Sequence, residues 1–259
     1  MVFQDKSMGH AISLEGPDNF SERKQVVNFT GVNYFFLPEN KVKISSPLTR
    51  LPLSFYQRSN VVTIARQLLG KVLVTCMDGY KTSGIIVETE AYRGITDRAS
   101  HAFGGRRTTR TAVMFGPGGR SYVYFCYGMH HLFNVVTSGE NTPHAVLIRA
   151  LEPLTGMEKM LERRGKAVVD FTLTSGPGSL SKALGIQHRL HSGERLDGDL
   201  IWIGDNGGPL PARAICRGTR VGVAYSREDA YLPYRFWIRD NPWVSRGKGL
   251  ERTMGKKKG

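Results

Sequence analysis

Residues 84–92 read GIIVETEAY. A glycine and three β-branched residues, Ile85, Ile86 and Val87, run into two carboxylates and a tyrosine. The β-branched run predicts a buried strand. Side chains alternate across a strand with period 2, so Glu88 and Glu90 share a face. Two carboxylates at the end of an apolar strand are costly to bury unless partners compensate their charge or a reaction uses them. The competing reading is a strand end that meets solvent, with both acids hydrated. The segment alone does not separate the two.

Working outward, Ser59 or Asn60 is placed to cap a short helix, VVTIARQLLG, that ends at Gly70. KVLVTCM (71–77) reads as a strand and Asp78-Gly79 as a hairpin turn. The return strand carries Glu88 and Glu90, a rigid place for a functional group. After Tyr92 the periodicity disappears. The long segment 93–121 is rich in Gly, Arg and Thr and carries Arg93, Arg98, Arg106, Arg107, Arg110 and Arg120. Guanidinium forks and exposed backbone N–H groups suit phosphate oxygens. The alternative is a flexible basic loop.

SYVYFCYGMHHLFNVVTS (121–138) alternates like a strand through Tyr122, Tyr124 and Cys126, turns at Tyr127-Gly128 and returns. Tyr127 then stands at a hairpin tip, where an aromatic can wedge into a base stack. Cross-strand aromatic pairing explains Tyr122 and Tyr124 equally well. AVLIRALEP (145–153) is a strand interrupted by Arg149, whose guanidinium needs a ligand or a carboxylate such as Glu88 or Glu90. PLTGMEKMLERRG predicts an amphipathic helix. TSGPGSLSKALGI predicts a Gly-Pro loop opening a helix from Ser175 or Ser179, an anion site or an ordinary cap. LIWIG (200–204) and ARAICRGTRVGVAY (212–225) supply further strands, and YRFWIRDNPWVS (234–245) reads as an aromatic-rich final strand and turn.

Composition narrows the partners. The 259 residues hold 36 Lys and Arg against 22 Asp and Glu, a net charge of +14. An excess of that size predicts a polyanionic partner. The three cysteines, Cys76, Cys126 and Cys216, form neither a CxxC pair nor a zinc spacing, which suits a reduced, intracellular protein. No apolar run approaches the roughly 18 residues a membrane span needs, and the N-terminus has no signal-peptide pattern. Residues 1–50 read as a loosely attached leader, with an apolar patch at Tyr34, Phe35, Phe36 and Leu37. Residues 51–245 read as one domain and 246–259 as a disordered basic tail.

The parts are a strand-borne carboxylate pair, clustered tyrosines, a histidine in a Gly-Arg loop and a basic surface. A carboxylate can act as general base on water, and aromatic rings can stack on a planar base. Together they suggest an enzyme acting on a nucleobase taken out of its stack. No metal ligand set and no cofactor motif is present. VETEAY, SHAFGGRRTTR, YVYFCYGM, Asn134, LIRALEP, SGPGSLSKALGI, RVGV and NPWVS occur in one order between about Leu51 and Ser245. This series resembles the alkyladenine DNA glycosylase family, the methylpurine-type 3-methyladenine DNA glycosylases.

The resemblance implies a single compact α+β domain with a curved antiparallel sheet and flanking helices. It implies a monofunctional base-excision-repair glycosylase that acts as a monomer on damaged bases in double-stranded DNA, without a cofactor or a membrane. Carried onto this sequence, Glu90 activates water, with Arg149 and the backbone of Val221 beside that water. Tyr92, His101 and Tyr124 line the base pocket. Asn134 discriminates against the amino group of guanine. Tyr127 intercalates, with Met129 the next candidate, while Arg106, Arg107 and Arg110 are expected at phosphates. No lysine lies in VETEAY or YVYFCYGM, so Schiff-base chemistry is not expected. Two rivals stand beside this reading. A non-catalytic DNA-binding module has no need of Glu90 beside Arg149. A carbohydrate hydrolase using Glu88 and Glu90 leaves the charge of +14 unexplained.

Overall fold

The central strand is β5 (Tyr80–Tyr92), thirteen residues that carry the carboxylates into the middle of an antiparallel sheet. The computed structural model describes residues 25–29, 32–36, 48–205 and 207–251. Within them, β1 (Gln25–Phe29) and β2 (Val32–Phe36) form a separate hairpin. The docking expected of the patch that ends at Leu37 falls outside the described residues. The main sheet begins at β3 (Thr49–Arg50), which pairs with β9 (Ile201–Asp205) just before the boundary expected near Leu51. Its order continues through β4 (Val72–Met77), β5, β8 (His144–Thr155), β7 (His130–Thr137) and β6 (Ser121–Cys126). A branch adds β10 (Ile215–Gly218) and β11 (Arg235–Ile238), the latter pairing with the second half of β5. The fold is mixed α+β, and the sheet is open.

Helix α1 (Leu53–Tyr56) is a single turn, and α2 (Val61–Leu68) follows it. The α2 spacing of Val61, Ile64, Ala65 and Leu68 puts its buried side chains on one stripe. Asn60 caps it by accepting a 3.0 Å hydrogen bond from Thr63 N. Full burial of Ile64 and Leu68 stabilises the fold by roughly 1.5–3 kcal/mol each. Thr89 Oγ1 donates to the Ala65 carbonyl at 2.9 Å, so Thr89 faces α2. Glu88 and Glu90 therefore face the opposite side.

Two expectations about helix and strand need correction. Helix α4 (Pro177–Leu184) is capped by neither Ser175 nor Ser179: Gly176 is the N-cap at φ 113°, and Pro177 occupies the first turn. Proline's missing N–H costs nothing there, and only glycine tolerates the preceding backbone. In the stretch 212–225 only Ile215–Gly218 is a strand, followed by a 3-10 segment over Ala224–Tyr231. Val221 and Val223 flank Gly222, which at φ 75° turns the chain away from the sheet. The remaining helices are α3 (Met157–Arg164) and α5 (His188–His191).

The basic segment after Tyr92 is folded. It passes through 3-10 turns at Gly94–Thr96, Phe103–Gly105 and Ala112–Phe115. A satellite core of Ala102, Met114, Phe115, Tyr122, Val136 and Ala145 seats it on β6, β7 and β8. Residues 246–251 are also placed against the domain, not free as expected. Thr219 Oγ1 donates to the Leu250 carbonyl at 2.6 Å, and Gly249 lies so close to Thr219 that a side chain there would collide with it. The rest of the basic tail, from Arg252, lies outside the described residues.

Candidate active site

Glu88 and Glu90 are both fully buried, so the solvated reading of the pair fails. Arg149 bridges them, and Arg235 pairs with Glu88 as well. Arg149 Nε donates to Glu88 Oε1 at 2.8 Å, and its Nη1 lies 3.3 Å from Glu90 Oε1. A pair of irregularities aligns these groups. In the β5–β8 ladder Ile86 opposes Leu151 and Glu88 opposes Ala150, so Val87 is an extra residue on β5. Next, Thr89 opposes Ile148, so Arg149 is the extra residue on β8. Such bulges re-aim side chains, and here one hands the guanidinium to both acids. The two carboxylates hold Arg149 firmly in its charged form, against the opposing effect of burial.

Glu90 accepts two further hydrogen bonds, from Val221 N at 2.7 Å and from the Tyr92 hydroxyl at 2.8 Å. Burial, then the negative charge of Glu90, pushes Tyr92 well above the ordinary phenol range, so it stays a donor. Glu90 has no exposed surface of its own. It lies directly behind Tyr92, Arg149 and Val221, which all line a cavity of about 600 Å³.

That cavity gathers most of the residues expected from the sequence. His101, Tyr124, Asn134 and Tyr127 line it with Tyr92, and Arg110 stands at its edge. His101 meets Tyr124 edge-on at 4.6 Å between ring centroids. Its Nδ1 is 2.8 Å from the Tyr122 hydroxyl. Burial, followed by the charges of Arg110 and Arg106, lowers His101 to about 4, so its ring is neutral near pH 7. Asn134 uses its amide N–H groups on the carbonyls of Tyr122 at 3.0 Å and Leu132 at 3.2 Å, which fixes its orientation.

Tyr127 is 86% exposed and caps the β6–β7 hairpin. Met129 N donates to Cys126 O across Tyr127 (φ 52°) and Gly128 (φ 68°). Positive φ at both central residues lets the chain reverse tightly within the loop 127–129. A tyrosine gains nothing there from burial and carries the steric cost of a left-handed backbone. Met129 is exposed beside it but does not line the cavity. Arg106, Arg107 and Arg110 are all exposed. The Arg107 guanidinium lies over the Phe115 ring at 5.1 Å from its centroid, while Arg106 and Arg107 remain outside the cavity.

A sequence model of the methylpurine-DNA glycosylase family matches residues 54–242, most of the chain and all of the cavity. The chain belongs to the methylpurine-DNA glycosylase family. It is a DNA glycosylase, a hydrolase of N-glycosyl bonds. A protein of Desulfitobacterium hafniense named "Putative 3-methyladenine DNA glycosylase" is 45% identical over 205 residues, 76% of this chain and 99% of that protein. Proteins of the same name from Bacillus cytotoxicus and Clostridium acetobutylicum are 42% and 44% identical. They cover 76% of this chain and 100% and 97% of their own lengths.

Several residues of this candidate site had no sequence signal. Tyr225 is 66% exposed at the cavity and donates to the Ala99 carbonyl at 3.2 Å. Its segment reads as strand, and nothing local marks its ring. Arg220 is buried against Asp97 and stacks on Tyr92 at 4.8 Å from the ring centroid. Asp97 lies within the basic segment, where the arginines dominate any reading of charge.

Proposed function

We propose that the protein excises alkylated purines of the 3-methyladenine class from duplex DNA, with Glu90 as the general base. The observation that carries this reading is a buried carboxylate directly behind a cavity walled by Tyr92, His101 and Tyr124. A purine turned out of the helix fits between aromatic faces, where stacking is worth roughly 1–3 kcal/mol per base. Tyr127, exposed at the rim, fills the gap the nucleotide leaves. Arg106, Arg107 and Arg110 hold phosphate oxygens, and Asn134 excludes bases with an amino group at its position.

In the chemical step a water oxygen attacks C1′ and Glu90 takes the water's proton. The C1′–N bond breaks, and its electron pair leaves with the base. An alkylated purine that carries a positive charge departs neutral, so it needs no proton donor. The sugar keeps the new hydroxyl, an abasic site. Arg149 and Val221 N hold Glu90 from the side of this attack. Tyr124 presents an aromatic face to the cationic base, an attraction worth about 0.5–2 kcal/mol. One chain supplies every residue of the site, so a monomer suffices, and its substrate places it inside the cell.

The test uses duplex DNA treated with a methylating agent. Free methylpurines and an equal number of alkali-labile abasic sites are expected from the wild type, and none from Glu90→Gln at unchanged affinity for abasic-analogue DNA. Tight binding with no released base would make the protein a binding module. A wild-type rate in Glu90→Gln would remove Glu90 as the base.

A further inference from the structure

Glu88 is the half of the carboxylate pair that this chemistry leaves unused. Its surroundings are as specific as those of Glu90. Oε1 accepts from Arg149 Nε at 2.8 Å, Arg235 Nε at 2.7 Å and Ser245 Oγ at 3.0 Å. Oε2 accepts from Ser245 N at 2.8 Å. A carboxylate so saturated has no room for a reacting water. Its donors come from three separate places, β8, β11 and the segment after β11. The C-terminal segment adds a further restraint: a side chain at Gly247 would press on both Val221 and Arg149 Nη2.

The guanidinium of Arg149 is held at each nitrogen. Glu88 takes Nε, the Ser245 hydroxyl accepts from Nη2 at 3.2 Å, and Nη1 is left to Glu90. Arg149 contacts both carboxylates and Arg235 contacts Glu88, so the four side chains form a buried and electrically balanced quartet. We infer that Glu88 is a positioning residue which, with Arg235 and Ser245, fixes Arg149 so that its third nitrogen addresses Glu90. This inference rests on the glycosylase reading above. Without Glu88, Arg149 is free to swing onto Glu90 with a second nitrogen. A bidentate pair of that kind would occupy the carboxylate that must take a proton from water.

The balance of charge gives a readout that a merely structural residue would not move. Glu90 is faced by Tyr92 on its own strand, Glu88 beside it, Arg149 from β8, Arg235 opposite it on β11 and Tyr124 from β6. Arg220 and Tyr225 face it from the segment after β10. Glu88→Gln removes one negative charge from this set and leaves the guanidiniums in excess. The acidic limb of the rate profile then moves to lower pH.

The experiment compares wild type, Glu90→Gln, Glu88→Gln and Ser245→Ala. It measures melting temperature, affinity for abasic-analogue duplex, and single-turnover base release across pH. Glu88→Gln is expected to slow base release by about 10- to 100-fold, the worth of a hydrogen bond to a charged group. Its affinity is expected to hold and its acidic limb to fall. Ser245→Ala, which keeps every charge, is expected to slow release less and leave the limb in place. A wild-type rate in Glu88→Gln overturns the inference, as does a slow variant with an unmoved limb. If Glu88→Gln does not fold, Ser245→Ala decides: slower release at unchanged affinity supports the inference, and a wild-type rate overturns it. A wild type that releases no base defeats the glycosylase reading. An active wild type with an inert Glu90→Gln and a normal Glu88→Gln defeats only the positioning role.

Discussion

The hydroxyl of Tyr92 donates a 2.8 Å hydrogen bond to Oε2 of Glu90, two residues back on the same strand. One side chain thus serves twice: its ring lines the cavity while its oxygen anchors the buried carboxylate. Period-2 alternation makes this possible, because residues i and i+2 of a strand share a face.

Tyr92→Phe separates the two roles. The ring stays, and a charge-assisted hydrogen bond worth about 1.5–3 kcal/mol is lost. Base release should slow by roughly 10- to 100-fold, with affinity for abasic-analogue DNA preserved. Single-turnover assays at saturating enzyme measure this, and an unchanged rate would show that the anchor is dispensable.

Tyr127→Gly tests the hairpin tip. Glycine accepts the φ of 52° without strain, and the lost ring was already exposed. The melting temperature should not fall. The equilibrium between flipped and stacked nucleotide should weaken by roughly 1–3 kcal/mol, and by less at mispaired lesions, which unstack more easily. A fluorescent base analogue at the target position reports it. A large drop in melting temperature, or unchanged flipping, would end the wedge reading.

His101 links stability to pH. Burial, then Arg110 and Arg106, lowers its pKa in the folded protein from 6.5 to about 4. Between these values the unfolded chain binds a proton and the folded one does not. Stability from this group is therefore complete above about pH 6.5 and is lost as pH falls toward 4. The loss is on the order of 3 kcal/mol across that window. Urea denaturation at pH 7 and pH 4.5 should show a smaller decline for His101→Gln than for the wild type. Equal declines would mean that His101 titrates normally.

Salt dependence tests the basic loop. Arg106→Ala, Arg107→Ala and Arg110→Ala should each lower the slope of log affinity against log salt by about 0.9, the value for one phosphate contact in duplex DNA. Removal of residues 252–259 should lower it further and leave the single-turnover rate intact. A slope that no variant changes would place the phosphate contacts elsewhere.

Local periodicity determined a good deal here. It placed Glu88 and Glu90 on one face of a strand and Tyr127 at a hairpin tip, and cap and turn residues marked the helix after Asn60 and the turn at Asp78-Gly79. Each of these depends on residues a few positions apart, so backbone geometry suffices to read it. The compensation of the carboxylates was decided by tertiary structure. Arg235 and Ser245 lie 147 and 157 residues from Glu88 in the chain. Arg149 reaches both acids through bulges that no residue pattern announces. The same holds for Arg220 against Asp97, Tyr225 at the cavity, and the segment 246–251 against Thr219. A buried charge is tolerated only where distant groups converge on it. That convergence is a property of the packed sheet, and no short stretch of the chain contains it.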